Sequence, residues 1–216
     1  MHTSAQLTTI SLPTASLPER PLARVCALLL LVSITPLLAL IAALVWLEDR
    51  GPVVFSQYRI GRNGRPFRCF KFRSMVSNAD SVLSDLLASD VRLSAQWERD
   101  QKLEHDPRVT RIGRILRITS LDELPQLYNI WRGEMAFVGP RPIVAQELAR
   151  YGVWKRHYLR VCPGLTGLWQ VSGRNDVSYD ERVALDRDYV EHHSWLLDLL
   201  IVARTFGAVV RRHGAR

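Results

Sequence analysis

Residues 22–47 read LARVCALLLLVSITPLLALIAALVWL, and this stretch decides how the rest of the chain is arranged. Arg24 is its only charged residue. A straight α-helix of that length would measure roughly 39 Å, which is enough to cross ~30 Å of hydrocarbon. The simplest interpretation is therefore one transmembrane helix.

Two features of the same stretch favour a different arrangement. Pro36, near the middle, removes a backbone hydrogen bond and predicts a kink or break, and the Thr35 hydroxyl can bond a carbonyl that the break leaves open. Both flanks are basic, with Arg24 at the start and a run of basic residues from Arg59 onward. Because basic flanks stay on the cytosolic side, we expect residues 22–48 to form a broken, re-entrant helix rather than a spanning one.

The composition narrows the class of protein. A chain of 216 residues can form one domain with a sizeable core. Its net charge of +8 favours anionic partners such as nucleic acid, acidic lipid headgroups or phosphorylated substrates. Three widely spaced cysteines without a CxxC motif indicate a reducing compartment and neither a disulfide framework nor a zinc site. Residues 1–21, rich in Ser, Thr and Pro, are predicted to be a disordered tail.

The remaining patterns predict an α+β protein that is mainly helical with one short β-hairpin. Two β-prone runs within 53–73 flank Asn63-Gly64, which is a strong turn signal. Residues 78–104 predict one helix or two, and further helices are expected after residue 108 and over 179–189. A second apolar run, 195–210, is interrupted by charge and predicts either a buried core helix or an interfacial amphipathic helix.

The hairpin region is strongly basic. No acidic residue lies between Gln57 and Ala79, whereas the basic residues there are Arg59, Arg62, Arg65, Arg68, Lys71 and Arg73. Such a surface is either a solvated face or a patch held against anionic lipid headgroups. Its position directly after the apolar stretch favours the lipid interpretation.

Two adjacent carboxylates stand out in SLDELPQL, residues 120–127. Ser120 and Glu123 match a capping box, but Pro125 favours Asp122 as the N-cap, because the proline then falls where no helical bond is lost. Neighbouring carboxylates can also share Mg²⁺ with substrate phosphates, and one of them can attack a phosphorus centre. The pair alone favours the capping function, because such pairs are common.

Phosphate chemistry is also indicated by the loops. Glycine and proline alternate with arginine and asparagine over 133–142, 163–167 and 173–175, a pattern that exposes backbone N–H groups and guanidinium groups. Neither GxGxxG nor GxxxxGK[ST] occurs, so Rossmann and P-loop nucleotide binding find no support.

Four ordered blocks then identify a resemblance: 55–75, 106–142, 163–176 and 181–190. They resemble the bacterial monotopic phosphoglycosyl transferases, the bacterial sugar transferase family, over about residues 22–212. That resemblance implies transfer of a sugar-1-phosphate from a UDP-sugar to undecaprenyl phosphate, with release of UMP through a covalent aspartyl-phosphosugar intermediate. It implies that Asp122 is the nucleophile and that Glu123, beside it, is a ligand of Mg²⁺, with Asp122 as a second ligand.

The resemblance also implies further site residues. Arg141 in the GPRP loop and Arg174 after the SG turn would bind substrate phosphates, and Asp186 best matches a functional acid on a downstream helix. Lys71 and Arg73 of the basic hairpin complete the predicted substrate-binding set. The family's broken membrane helix usually carries Ser-Pro, where this chain has Thr35-Pro36.

The partners expected from the resemblance are a UDP-hexose, undecaprenyl phosphate and the lipids of the bacterial inner membrane, with no nucleic acid. Galactose or glucose is the expected sugar, for exopolysaccharide or O-antigen-type assembly. Residues 49–216 would form an interfacial catalytic domain on the cytoplasmic face, as a stand-alone catalytic core. The oligomeric state is left open, with a homodimer as one option. The alternative function is a non-enzymatic basic module that binds membrane surfaces.

Overall fold

The computed structural model describes residues 21–100, 103, 106–173 and 177–210, and the predicted tail lies almost wholly outside them. The helices are α1 Pro21–Ser33, α2 Thr35–Asp49, α3 Ala79–Ser89, α4 Val91–Asp100, α5 Arg111–Thr119, α6 Gln126–Arg132, α7 Ala145–Leu148, α8 Lys155–Arg160, α9 Leu168–Ser172, α10 Tyr179–Glu191 and α11 Trp195–Val210. The strands are β1 Val54–Ile60, β2 Pro66–Phe72, β3 Ala136–Val138 and β4 Gly164–Thr166. Short 3₁₀ turns lie at Arg62–Gly64, Leu121–Glu123 and Ala149–Trp154.

The apolar stretch is broken at the predicted place. Helices α1 and α2 meet at a bend of 62° around Ile34. Pro36 lies in the first turn of α2, where its missing N–H leaves no helical bond unmade. The Thr35 hydroxyl donates to the Leu31 carbonyl at 2.9 Å, which bridges the break. In the described ranges no single helix has the length and apolar composition to cross a membrane, whereas this bent pair meets both conditions together.

The first helix of the pair packs against the site-bearing part of the chain. Ala27 is fully buried in a cluster with Leu127 and Ile130 of α6 and Phe67 of β2. A small side chain at this position allows the two helices to approach closely. The Arg24 guanidinium adds a hydrogen bond from Nε to the Trp131 carbonyl at 2.9 Å. Helix α1 is therefore fixed to α6 at both its apolar face and its polar edge.

The second helix is fixed at its C-terminal end by two acids. The Glu48 carboxylate accepts the backbone N–H of Arg111 at 2.7 Å and that of Ile112 at 3.2 Å, so it caps the start of α5 from outside that helix. Asp49 pairs with the buried guanidinium of Arg73, which follows β2. Helix α2 is thus attached to α5, which leads to Asp122 and Glu123, and to the segment that follows β2.

The predicted hairpin is confirmed. Strands β1 and β2 pair antiparallel, with Val54 opposite Phe72 at one end and Ile60 opposite Pro66 at the other. The turn uses left-handed backbone at Asn63 and Gly64, with φ angles of 59° and 74°. The polar region 78–104 forms two helices, α3 and α4.

A second sheet is present that the sequence did not predict. Strands β3 and β4 are parallel, with Ala136 opposite Gly164 and Val138 opposite Thr166. Gly139 and Gly164 lie so close that a Cβ on Gly164 would sit 2.1 Å from the Gly139 nitrogen. This small sheet holds the start of the loop that carries Arg141.

Helix α11 packs one face in the core, and its interfacial role stays a prediction. Ile201 is fully buried beside Val138 and Tyr189. The opposite face exposes large apolar side chains, namely those of Trp195, Leu196, Leu199, Leu200 and Phe206. One face is therefore core, and the other is an apolar surface.

Substitution of Gly113 tests how closely α5 packs against the backbone of Ser74. A Cβ at this position would lie 2.0 Å from the Ser74 carbonyl oxygen, which is backbone and cannot give way easily. We expect Gly113→Ala to lower the free energy of unfolding by roughly 1–3 kcal/mol, as overpacking does. Denaturant unfolding of the purified protein measures this change.

Gly207→Ala in α11 is the matched control, because no atom lies within 4 Å of its added Cβ. That variant should be neutral or slightly more stable, because alanine favours a helix. Equal stability of the two variants would contradict the close packing of α5 on Ser74.

Candidate active site

The dyad lies in a short 3₁₀ turn between two helices. Helix α5 ends at Thr119, and Ser120 takes the left-handed conformation with φ 57° as its C-cap. Asp122 and Glu123 follow in the 3₁₀ turn, and α6 begins only at Gln126, with Pro125 as its N-cap.

The prediction that Asp122 caps a helix is therefore wrong, and the capping box of Ser120 and Glu123 does not form. Ser120 makes no side-chain capping bond, because its backbone already closes α5. The Glu123 carboxylate turns instead toward β2. Pro125 occupies the cap position itself, so both acids stand one turn ahead of the α-helix. Neither acid is the N-cap of α6.

Asp122 is largely removed from water, with 9% of its surface exposed. Burial is the main cause that raises the pKa of this carboxyl above its usual range, and the neighbouring charge of Glu123 raises it further. The positive charges of Lys71 and Arg117 oppose this rise. When ionised, a weakly solvated carboxylate is suited to act as a nucleophile, and the two cations favour that ionised form.

Glu123 is bound by a cation from the hairpin. Lys71 Nζ donates to Glu123 Oε1 at 2.6 Å, and each side chain is 27% exposed. Lys71 lies two residues after Cys69 in β2. Burial raises the pKa of the Cys69 thiol. The ion pair connects the strand to the turn that carries both acids.

Arg117 approaches the dyad from α5. Its Nε donates to the Ser74 hydroxyl at 2.8 Å, and its charge acts on Asp122. In the sequence, Arg117 is the last of four arginines spaced three residues apart, from Arg108 onward, a pattern typical of an ordinary amphipathic helix. In the structure Arg117 is half-buried, whereas Arg111 and Arg114 on the same helix are exposed.

Arg141 is exposed on the loop that follows β3. Two backbone bonds fix that loop: Gly139 N–H donates to the Thr166 carbonyl at 2.9 Å, and Gly164 N–H donates to the Pro140 carbonyl at 2.8 Å. The charge of Arg141 acts both on Cys69, in the strand that carries Lys71, and on Asp186 of α10. Arg141 therefore connects the dyad side of the site with α10.

Asp186 is more deeply buried than the dyad, with 3% of its surface exposed. Its Oδ2 accepts the Tyr151 hydroxyl at 2.6 Å, whereas its Oδ1 has no hydrogen-bond partner in the described structure. Burial raises the pKa of Asp186 to about 7, against the lowering effect of the Tyr151 bond and of the charges of Arg141 and Arg182. The sequence carried no signal for Tyr151 as the partner of this acid.

One predicted site residue, Arg73, is engaged away from this group. The Arg73 guanidinium is buried against Asp49, and it also contacts the Ser77 hydroxyl and the Val45 carbonyl. These contacts give it a structural task at the end of α2, and its substrate contact stays a prediction. Arg174 lies outside the described residues.

The residues present fit a Mg²⁺ ion with few protein ligands. Asp122 and Glu123 offer carboxylate oxygens from neighbouring positions, the donor type that this ion prefers. Across 21–100, 103, 106–173 and 177–210 there is no group of three or more His, Cys, Asp and Glu side chains that could hold a metal by themselves. Mg²⁺ commonly takes its other ligands from water and substrate phosphates. When bound, it would neutralise phosphate charge.

The sequence is similar to those of several known proteins. Residues 15–212 match the family described as "Bacterial sugar transferase". An "Undecaprenyl-phosphate galactose phosphotransferase" of Salmonella typhimurium is 50% identical over 191 residues, which cover 88% of this chain and 40% of that protein. The "Exopolysaccharide production protein ExoY" of Sinorhizobium fredii is 48% identical over 203 residues, which cover 94% of this chain and 90% of that protein.

A third relative is named for a different sugar. The "Undecaprenyl-phosphate glucose phosphotransferase" of Komagataeibacter xylinus is 42% identical over 202 residues, which cover 88% of this chain and 35% of that protein. The chain thus spans less than half of two of these relatives and most of the third. The family match extends over nearly the whole sequence and includes every described residue of the site. The chain belongs to the bacterial sugar transferase family.

Proposed function

We propose that the protein transfers a hexose-1-phosphate, of galactose or glucose, from a UDP-sugar to undecaprenyl phosphate and releases UMP. The observation that carries this proposal is the buried Asp122, held beside Glu123 between the cations Lys71 and Arg117. Family membership supports the sugar-transferase chemistry. The names of the relatives support undecaprenyl phosphate as the acceptor and galactose or glucose as the transferred sugar.

The first step is a displacement at phosphorus. A carboxylate oxygen of Asp122 attacks the sugar-bearing β-phosphorus, and a new O–P bond forms. The bond from that phosphorus to the bridging oxygen breaks, and its electron pair leaves with UMP. The product is an aspartyl-phosphosugar.

The second step regenerates the enzyme. A phosphate oxygen of undecaprenyl phosphate attacks the same phosphorus and breaks the aspartyl O–P bond. The electron pair returns to Asp122 as carboxylate, and the sugar now sits on a polyprenyl diphosphate.

The chain's own cations lower the barrier to both displacements. Charge grows on the phosphoryl and leaving oxygens, so fixed positive groups stabilise the transition state more than the bound substrate. Lys71 and Arg117 are placed at the nucleophile, and Arg141 is assigned to the diphosphate. Glu123 holds Lys71 in position and, with Asp122, would hold Mg²⁺.

A lipid acceptor requires a site at the membrane surface, and we assign the catalytic domain, residues 49–216, to the cytoplasmic face of the inner membrane. The bent pair α1–α2 supports a re-entrant anchor, since it is apolar and its outer side chains are exposed. The apolar face of α11 and the basic hairpin supply further contacts for lipid tails and acidic headgroups. Homodimer formation stays a prediction.

The alternative is a basic module that binds membrane surfaces without catalysis, which the net charge of +8 favours. Such a module would bind acidic vesicles in a salt-sensitive way and would not depend on Asp122. It gives no reason for a buried carboxylate between two cations, whereas the transferase does.

Asp122→Asn tests the nucleophile. We expect UMP release from UDP-sugar, Mg²⁺ and undecaprenyl phosphate to fall on the order of a thousandfold or more, because an amide cannot form the acyl phosphate. Asp85→Asn, on the exposed surface of α3, is the control with the same chemical change. Near-normal release by the Asp122 variant would remove the basis of the proposal.

The pH profile tests the charge environment of the nucleophile. Asp122 acts as a carboxylate, so activity should be lost as the pH falls through its raised pKa. Lys71 lowers that pKa. We therefore expect Lys71→Gln to move the acidic limb of the profile of kcat/KM to higher pH, as well as to reduce the rate.

Arg68→Gln removes one positive charge from the exposed side of the same strand and is the control. Its acidic limb should stay where the unmodified protein has it. An unmoved limb in Lys71→Gln would show that Lys71 does not act on the titrating group.

A further inference from the structure

A second group of cations lies around a buried tryptophan of α9. The guanidinium carbon of Arg182 lies 4.7 Å from the centroid of the Trp169 ring, and that of Arg141 lies 5.8 Å from it. Trp169 itself is only 4% exposed, so it serves as a fixed platform. Within the described part of the chain, neither guanidinium has a carboxylate within ion-pair distance, 4.0 Å.

The charges around this platform are not balanced. Arg150 adds a third guanidinium, 3.6 Å from the Tyr179 centroid. Burial and the charge of Arg141 lower the pKa of Arg182, against an opposing effect of Glu147. Glu147 is engaged elsewhere: its carboxylate lies 3.5 Å from Arg59 and accepts the Val144 N–H at 3.0 Å. The cluster therefore has a surplus of positive charge that reaches solvent through Arg141 and Arg150.

Asp186, on which the charges of Arg141 and Arg182 act, is also incompletely bonded. Tyr151 donates to Oδ2 of Asp186, and Oδ1 is buried without a partner. Burial raises the pKa of this carboxyl to about 7, which favours its protonated form compared with an exposed aspartate. When protonated at Oδ1, Asp186 can donate a hydrogen bond to a phosphate oxygen instead of repelling it. An unpaired polar atom this deeply buried is rare and is normally explained by a ligand or a catalytic task.

We propose that Arg182 and Arg141, supported by Trp169 and Asp186, form a phosphate subsite for the nucleotide half of the donor and for the nucleoside monophosphate that leaves. This inference rests on the proposed function, because that reaction puts a second phosphate next to the one that Asp122 attacks. When the bridging P–O bond breaks, its electron pair passes to the nucleotide phosphate. Arg182 Nε donates to the Val177 carbonyl at 3.2 Å. Two guanidinium groups that have no carboxylate partner among the described residues stabilise the charge that develops there.

Binding of UMP tests the subsite without turnover. In an Asp122→Asn background, the affinity for UMP is measured by calorimetry with and without Arg182→Ala. We expect that change to weaken UMP binding roughly 10- to 100-fold, the contribution of one or two hydrogen bonds to a charged group. Arg182→Lys should recover part of the affinity, because it keeps the charge but not the planar pair of donors.

The matched control is Arg187→Ala. Arg187 lies on the same helix α10 and stacks on another tryptophan, Trp154, at 4.5 Å from its centroid. Its removal should leave the UMP affinity within twofold, and melting curves of each unliganded variant check that α10 is intact. Inorganic phosphate and a short-chain polyprenyl phosphate are titrated in parallel to distinguish the two phosphate sources.

Unchanged UMP affinity in a folded Arg182→Ala protein would overturn the inference. So would a loss confined to the polyprenyl phosphate, which would assign the cluster to the acceptor. Failure of the proposed function would give a different result: the unmodified protein would show no transferase activity, whereas Arg182→Ala could still weaken UMP binding.

Discussion

The ion pair of Lys71 with Glu123 joins the two parts of the chain that the site needs. It spans 2.6 Å between the second hairpin strand and the 3₁₀ turn after α5. The pair sets the charge next to Asp122, because it places one cation and one anion beside a buried carboxyl. Without Lys71, two neighbouring acids would face each other in a poorly solvated turn, and each would favour protonation. Both the position of the dyad and its ionisation therefore depend on this contact.

The apolar helix pair is connected to the same turn through α5. Glu48 caps α5 from the end of α2, Asp49 holds Arg73 after β2, and Gly113 lets α5 lie against the backbone of Ser74. Since α5 ends at the residue before Ser120, any shift of its axis moves Asp122 as well. In the proposed function, this connection lets the apolar helix pair set the position of the turn with Asp122 and Glu123 relative to the lipid acceptor.

Local chemistry in the sequence predicted the parts of the fold that depend on neighbours along the chain. Pro36 predicted the break, and Asn63-Gly64 predicted the hairpin turn, because each restricts its own backbone. The sheet of β3 and β4 was missed, since three-residue strands show no alternation and their pairing joins residues far apart in sequence. The start of α6 was predicted wrongly, because Ser120 had already been used to end α5.

The residues of the candidate site also divide into those that the sequence predicted and those that only the structure shows. The motifs identified Asp122, Glu123, Arg141 and Asp186, whereas Arg117, Tyr151 and Arg182 became visible only in three dimensions. Arginines are frequent in this chain, and no spacing rule tells which of them meets a carboxylate or a tryptophan. Arg73 shows the reverse case: it lies two residues from Lys71 in sequence, yet its side chain is committed to Asp49.

Mass spectrometry of the intact protein is the most direct test of the aspartyl-phosphosugar intermediate. The protein is mixed with UDP-galactose or UDP-glucose and Mg²⁺ in the absence of undecaprenyl phosphate, quenched and weighed. We expect a mass increase of one hexose phosphate that maps to the peptide containing Asp122 and disappears when the lipid phosphate is added. Lipid-dependent turnover of the same sample without any such adduct, or an adduct on another residue, would contradict it.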